Sequence, residues 1–453
     1  MNLSKKTIYL FLLLTIPVLS VRAETPVEAR VTYIMETADS LVKARLAMFD
    51  QSIMDHRFDK AVRKRIESYV GHWSHATGRI LARSARFFPI FEKQLAAKGM
   101  PLGLKYVTIQ ESALRPYATS HAGAGGLWQL MPGTARELGL TVEDYLDERL
   151  DPELGCAAGL EYLQIQYERY EDWALALAAY NCGPGNVNKA LRRAGGKNKS
   201  YWQIRKHLPR ETSNYLPSII AAAYVMAFHH LHDVAPGPMD LDLQITEAIT
   251  VERRLSLHRV IQVTGLRPDV VIELNAQYLR GYLPGLPGGH RLRLPKRVMP
   301  AMRTYLSSHP AAAPETDADL PWASPRLHKS ELNTERHYSQ YRTSVGSQDT
   351  TLRQIANNYQ IPVDQLAIWS NLGEFDSLAL FDEIVFFTIN DYLPYDPRDR
   401  DTPPAAPLVE MLPATPVRIP NRKKVSGLPE VKAVVPDGGK RKPGLGDILK
   451  SWF

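Results

Sequence analysis

The stretch "QESALRPYATSHAGAGGLWQLMP", Gln110 to Pro132, sets one carboxylate at the end of an apolar run and follows it with a glycine-rich loop that returns to an aromatic and an amide. Upstream, Pro101 sits where a helix can begin. From Leu104, the residues Val107, Thr108 and Glu111 follow at offsets of three, four and seven, which places the carboxylate on the apolar stripe. Glu111 is therefore expected to point inward. Burial and the negative end of the helix dipole both favour the protonated acid, so its pKa is expected to rise and the group to serve as a general acid near neutral pH. The same spacing also fits a core-edge glutamate satisfied by one hydrogen bond.

Pro116 is expected to end this helix, and "HAGAGG" gives the backbone freedom for a loop that approaches a ligand closely. "LWQLMP" then brings back Trp128, Gln129 and Met131, with a new helix from Pro132 to Gly139. An amide among apolar faces suits a flat, polar, neutral ligand that carries hydroxyl and acetamido groups. "AAYNCGPGNV" repeats the theme, a helix that ends in Tyr180 and Asn181 before a Gly-Pro-Gly turn.

Working outward, 453 residues imply two to four domains. Residues 24–94 read as a helical region and 95–235 as a mainly α domain, because apolar residues recur at three- and four-residue spacing and almost nothing alternates before about residue 245. A small βααβ pattern covers 245–296, a Pro/Ala/acid linker 300–335, and a clearer βααβ repeat 336–390. The last stretch, 391–453, is Pro-rich, basic and without core-forming periodicity, and is read as disordered. The net charge of +7 is modest and concentrated at that end, so no nucleic-acid partner is expected. Lys5 and Lys6 precede an apolar run over 7–21 that closes on Val-Arg-Ala, the order of a cleavable signal peptide over 1–23. The run is shorter than the ~20 residues of a membrane span, and no later segment comes close, so no integral membrane segment is expected after cleavage. Cys156 and Cys182 fit either one bridge or two buried thiols. His229, His230 and His232 lack the HExxH arrangement, and no metal or cofactor is expected.

Glu111-Ser112-Ala113, Pro116, Ala122-Gly123, Gly126-Leu127-Trp128-Gln129, Met131-Pro132-Gly133-Thr134-Ala135, Ala179-Tyr180-Asn181 and Gly183-Pro184-Gly185, in this order and spacing, resemble the lytic murein transglycosylases with a soluble-transglycosylase, goose-lysozyme-like domain. "GLWQLMP" and the paired βααβ units are most similar to the transglycosylase D branch. The resemblance implies a lysozyme-like fold over 95–235 and cleavage of the β-1,4 bond between N-acetylmuramic acid and N-acetylglucosamine in peptidoglycan glycan strands. Glu111 would be the one catalytic carboxylate, closing a 1,6-anhydro ring without water. Ser120, Gln129, Met131, Tyr180 and Asn181 would line the sugar subsites, and Glu211 and Tyr215 the groove wall. Asp349-Thr350, Leu352, Ile355-Ala356, Tyr359, Leu366, Trp369 and Asn371 resemble a LysM module, a binder of glycans, expected to fold by itself. The first unit, sharing only Leu274-Asn275 and its end strand, is read as a degenerate one. Cys182 stands where the family has a small residue, and Thr350-Thr351 and Phe381-Asp382 depart from the LysM pattern. A monomeric enzyme of the periplasm, associated with the cell wall, is the expectation. A hydrolytic muramidase, with a second carboxylate such as Glu137, Glu143 or Asp144 near Glu111, and a non-catalytic cell-wall-binding protein are the alternatives.

Overall fold

The computed structural model describes residues 39–50, 53, 57–285, 288–308, 337–346 and 350–390. The expected signal peptide, most of the expected linker and the basic tail lie outside them.

The first part is helical, as the spacing predicts. Helices α1 (Asp39–Leu46), α2 (Lys60–Val70) and α3 (Ser74–Lys98) lead in. Asp59 caps α2 by accepting from the amides of Ala61 and Val62 at 2.9 and 3.0 Å, and Gly99, at φ +62°, stops α3. A 3-10 turn over Leu102–Tyr106 feeds α4 (Val107–Ser112). Helix α4 ends three residues earlier than Pro116 suggests, because Ala113 and Leu114 take positive φ and close it. Helices α5 (Pro132–Glu137), α6 (Pro152–Tyr170), α7 (Trp173–Cys182), α8 (Pro184–Arg193) and α9 (Tyr215–Phe228) complete the unit. Every residue of α9 is buried, so this helix is the axis on which α2, α4 and α7 pack.

In the second part β1 (Thr246–Val251) pairs antiparallel with β2 (His290–Pro295), Ile249 opposite Leu292, and between them run α10 (Leu257–Thr264) and α11 (Pro268–Leu274). Residues 300–308, expected to be linker, are helical. Helix α12 (Met299–Ser308) buries Met299, Met302 and Tyr305 in the core of this unit, a short amphipathic turn hidden by the Pro/Ala texture that follows it.

The third part pairs β3 (Tyr338–Ser344) with β4 (Glu383–Ile389), Tyr341 opposite Phe386, around α13 (Leu352–Tyr359) and α14 (Val363–Trp369). The additional threonine acts locally, since Thr351 caps α13 in a capping box with Gln354. Phe381 adopts φ +72° with 76 % of its surface exposed, the left-handed conformation that a glycine would take without strain. This unit does not stand apart: Ile368 of α14 belongs to the core of the first part.

Candidate active site

Glu111 is the penultimate residue of α4, 7 % exposed. Tyr215, the first residue of α9 and 2 % exposed, donates its phenolic proton to Glu111 Oε1. Burial first, then the charge of Glu111, pushes the Tyr215 phenol well above its ordinary pKa, so it stays a donor through the physiological range. Tyr180 near the end of α7 is buried beside them. Its hydroxyl donates to the Trp128 carbonyl at 2.5 Å, and burial followed by the Glu111 charge raises its pKa as well. One acid thus faces two neutral phenols brought from helices 69 and 104 residues further along the chain, by the sequence numbers of Tyr180 and Tyr215.

The loop after α4 folds back over this acid. Thr119 bridges Gly125, and Gly125 bridges Leu130. Ser112 Oγ donates to the Leu127 carbonyl at 2.9 Å, which fastens the loop to the helix that carries Glu111. Ser120, half-buried, accepts at Oγ from the Ala124 amide at 3.0 Å and closes the tip. Gln129 sits at φ +48°, a conformation that costs a non-glycine residue on the order of 1 kcal/mol. Its amide nitrogen donates to the carbonyls of Ala118 (3.0 Å) and Gly126 (2.9 Å), which holds it there. Both amide protons are therefore spent within the loop, and its carbonyl oxygen is what it offers a ligand. Met131 caps the start of α5, half-buried.

Asn181 accepts at Oδ1 from Thr212 Oγ1 at 2.7 Å, tying the end of α7 to the turn Thr212–Asn214. Glu211, half-buried, immediately precedes that turn, and its charge acts on the Tyr215 phenol. Trp128 is a core residue and does not line the loop surface: its ring lies edge-on to Phe91 at 5.5 Å and covers Gly159 so closely that a Cβ there would come within 2.7 Å of it. Cys156 and Cys182 are both free thiols. Of the acids near in sequence, Glu137, Glu143 and Asp144 are exposed, Asp144 pairing with Arg280 at 2.9 Å.

Sequence reasoning missed Arg149. Only 6 % exposed, it donates to the carbonyls of Gly123 (2.7 Å) and Leu130 (2.8 Å) and pairs with Asp147 (2.7 Å), so one guanidinium pins both ends of the loop. Gly126, at φ +78°, lies against its backbone, where a Cβ would meet the Arg149 carbonyl oxygen at 1.9 Å. The targets are backbone carbonyls, which leave no mark in a sequence.

A family described as Transglycosylase SLT domain matches residues 88–203, and a family described as Lytic transglycosylase MltD, LysM-like domain matches 245–311. The chain is 30 % identical over 223 residues to the membrane-bound lytic murein transglycosylase D of Escherichia coli strain K12, covering 49 % of this chain and 48 % of that one. It is 36 % identical over 140 residues to the membrane-bound lytic murein transglycosylase F of Desulfosudis oleivorans, 29 % of this chain and 30 % of that one. The chain spans about half the length, or less, of these curated relatives. A solved structure, the 70 kDa soluble lytic transglycosylase of Escherichia coli, aligns at 25 % identity and a TM-score of 0.31 over 46 % of this chain and 36 % of that one. The LysM-like match falls on the unit that looked degenerate and includes α12. Glu111, Ser120, Gln129, Met131, Tyr180 and Asn181 lie inside the SLT match; Tyr215, the first residue of α9, and Glu211, just before the turn Thr212–Asn214, lie past it. No helix among the described residues is long and apolar enough to cross a membrane, and no group of His, Cys, Asp and Glu among them is arranged to hold a metal.

Proposed function

We propose that the protein is a peptidoglycan lytic transglycosylase with Glu111 as its catalytic acid and base. One observation carries the reading: the stretch that matches the SLT domain buries a carboxylate, to which the phenol of Tyr215 donates, beside a loop fastened by Ser112 and Arg149. Glu111 protonates the glycosidic oxygen between N-acetylmuramic acid and N-acetylglucosamine, and the C1–O bond breaks. The resulting carboxylate takes the proton of the muramic C6 hydroxyl as that oxygen bonds to C1, which closes a 1,6-anhydro ring and consumes no water. Tyr215 holds the acid in place through both transfers. Ser120, Gln129, Met131, Tyr180 and Asn181 form the sugar subsites and Glu211 the wall. The signal sequence over 1–23 delivers the chain to the periplasm, where it acts as a monomer on the cell wall. The unit at 336–390 serves as a second LysM module.

One observation favours hydrolysis instead: the charge of Glu211 reaches Tyr215, so a second carboxylate stands beside the site. Digestion of purified sacculi by the full chain, with mass analysis of what is released, separates the two. Soluble muropeptides ending in 1,6-anhydro-N-acetylmuramic acid support the proposal; reducing ends support the hydrolase; no release leaves a cell-wall-binding protein.

A further inference from the structure

Lys105 and Tyr106 are the last two residues of the 3-10 turn that runs directly into α4, and so into Glu111. Lys105 is 1 % exposed, and an ammonium so placed is costly unless it is paired. Three carboxylates surround it: Glu92 of α3 at 2.6 Å, Glu374 at 3.4 Å and Asp364 of α14 at 3.6 Å. Two of the three belong to the unit built on β3 and β4. The same unit accepts the Tyr106 phenolic proton at Glu374.

The neighbouring residues of its loop, Gly373 to Asp376, reach into the first part. Phe375 sits edge-on to Phe49 at 4.9 Å and stacks on Phe228 of α9 at 5.8 Å. Asp376 pairs with His230 at 3.2 Å. Gly373 touches the backbone just before the end of α9 so closely that a Cβ would lie 2.1 Å from the Ala227 oxygen. Beyond the loop, Trp369 Nε1 donates to Gln244 Oε1 at 2.6 Å. Glycan binding does not require these contacts. They grip the entry of the helix that carries Glu111 and the end of the helix that carries Tyr215.

We propose that the unit over 337–390 is a support for catalysis, its loop 371–376 fixing Lys105 and Tyr106 and thereby holding Glu111 in register with Tyr215. Glu374 is the principal positioning residue. The inference rests on the role given to Glu111 above.

The test uses the full chain with Gly373→Ala, Glu374→Ala and Glu374→Gln, the last of which can still bond Tyr106. The saturating rate of muropeptide release from sacculi and the half-saturating sacculus concentration are measured separately. Because displacement of a catalytic group by about 1 Å can cost up to about 10²-fold, the saturating rate of Gly373→Ala and Glu374→Ala should fall at least about tenfold while half-saturation stays within about twofold. Glu374→Gln should recover most of the rate. If Gly373→Ala does not fold, the two Glu374 variants carry the test. An unchanged saturating rate with weakened half-saturation overturns the inference and makes the unit a tether, while the proposed function stands. An inactive wild-type chain overturns the proposed function, and this inference with it.

Discussion

Lys105 and Glu111 lie on one continuous turn and helix, both buried, and the surroundings of the two charges are opposite. Lys105 is a cation wrapped by three carboxylates. Burial works to lower its pKa, and the facing charges of Asp364, Glu374 and Glu92 more than offset this and hold it well above the ordinary value. Glu111 meets the neutral phenols of Tyr215 and Tyr180, whose own protons are held more tightly because it is there. A cation so surrounded keeps its own proton over the whole physiological range and suits structure. A phenol that donates to an acid stays neutral in either protonation state of that acid, and that suits proton transfer.

The sharpest way to break this contrast is Glu111→Gln, which keeps the shape and removes the titrating proton. Release of muropeptides should fall by roughly 10²–10⁴-fold with the fold retained by circular dichroism. A variant that keeps a tenth of the activity places the acid elsewhere. Next comes Arg149→Met, which leaves Asp147 buried without its partner and frees two loop carbonyls. It should cost about 3–5 kcal/mol in urea unfolding, and a loss below about 1 kcal/mol means the loop is held by its own hydrogen bonds.

Tyr215→Phe removes the phenolic hydroxyl that donates to Glu111 and keeps the ring. The expected loss of rate is about 10- to 100-fold, the equivalent of a hydrogen bond to a charged group at about 1.5–3 kcal/mol. An unchanged rate assigns Tyr215 to packing.

The ion cluster should respond to pH in its own direction. Burial lifts the Asp364 carboxyl to about 7, with Lys105 opposing and the nearby Glu92 and Glu374 adding to the rise. A folded-state pKa above the unfolded one contributes stability that is complete below pH ~4 and is lost as pH climbs towards 7. The stability of wild type minus that of Asp364→Asn, from urea midpoints, should therefore decline across that window and level off above it. A difference that is flat, or that grows with pH, removes Asp364 from the cluster's titration.

Much of the acid's setting was legible. The inward setting of Glu111 was legible, although Leu104 falls in the 3-10 turn and α4 is buried on every side and not along one stripe, and the glycines after it read as a loop that must approach something closely. The Gly126 contact with Arg149 meets that description, although the partner there is the protein's own backbone. What could not be read was anything joined across long separations. Lys105 looks like an ordinary surface lysine on a helical turn, because its partners Asp364 and Glu374 come from another unit more than 250 residues away by sequence number. Trp128 appeared beside the amide in a loop suited to sugars, yet Gly159 opens a slot for it in the core. Helix α12 was concealed because the Pro/Ala stretch begins immediately after its last turn. The first βααβ unit looked degenerate because few of its side chains follow the LysM pattern, although its stretch matches a LysM-like family and its two strands pair around two helices.

The transglycosylase mechanism stands or falls on where the new oxygen at C1 of the muramic residue comes from. Sacculi digested in heavy-oxygen water by the wild-type chain should give muropeptides without the heavy isotope, lighter by one water than hydrolysis products, because the C6 hydroxyl of the same sugar attacks. Heavy oxygen at the new reducing ends would contradict it and make the enzyme a hydrolase, with Glu211 the first residue to test as the base that activates water.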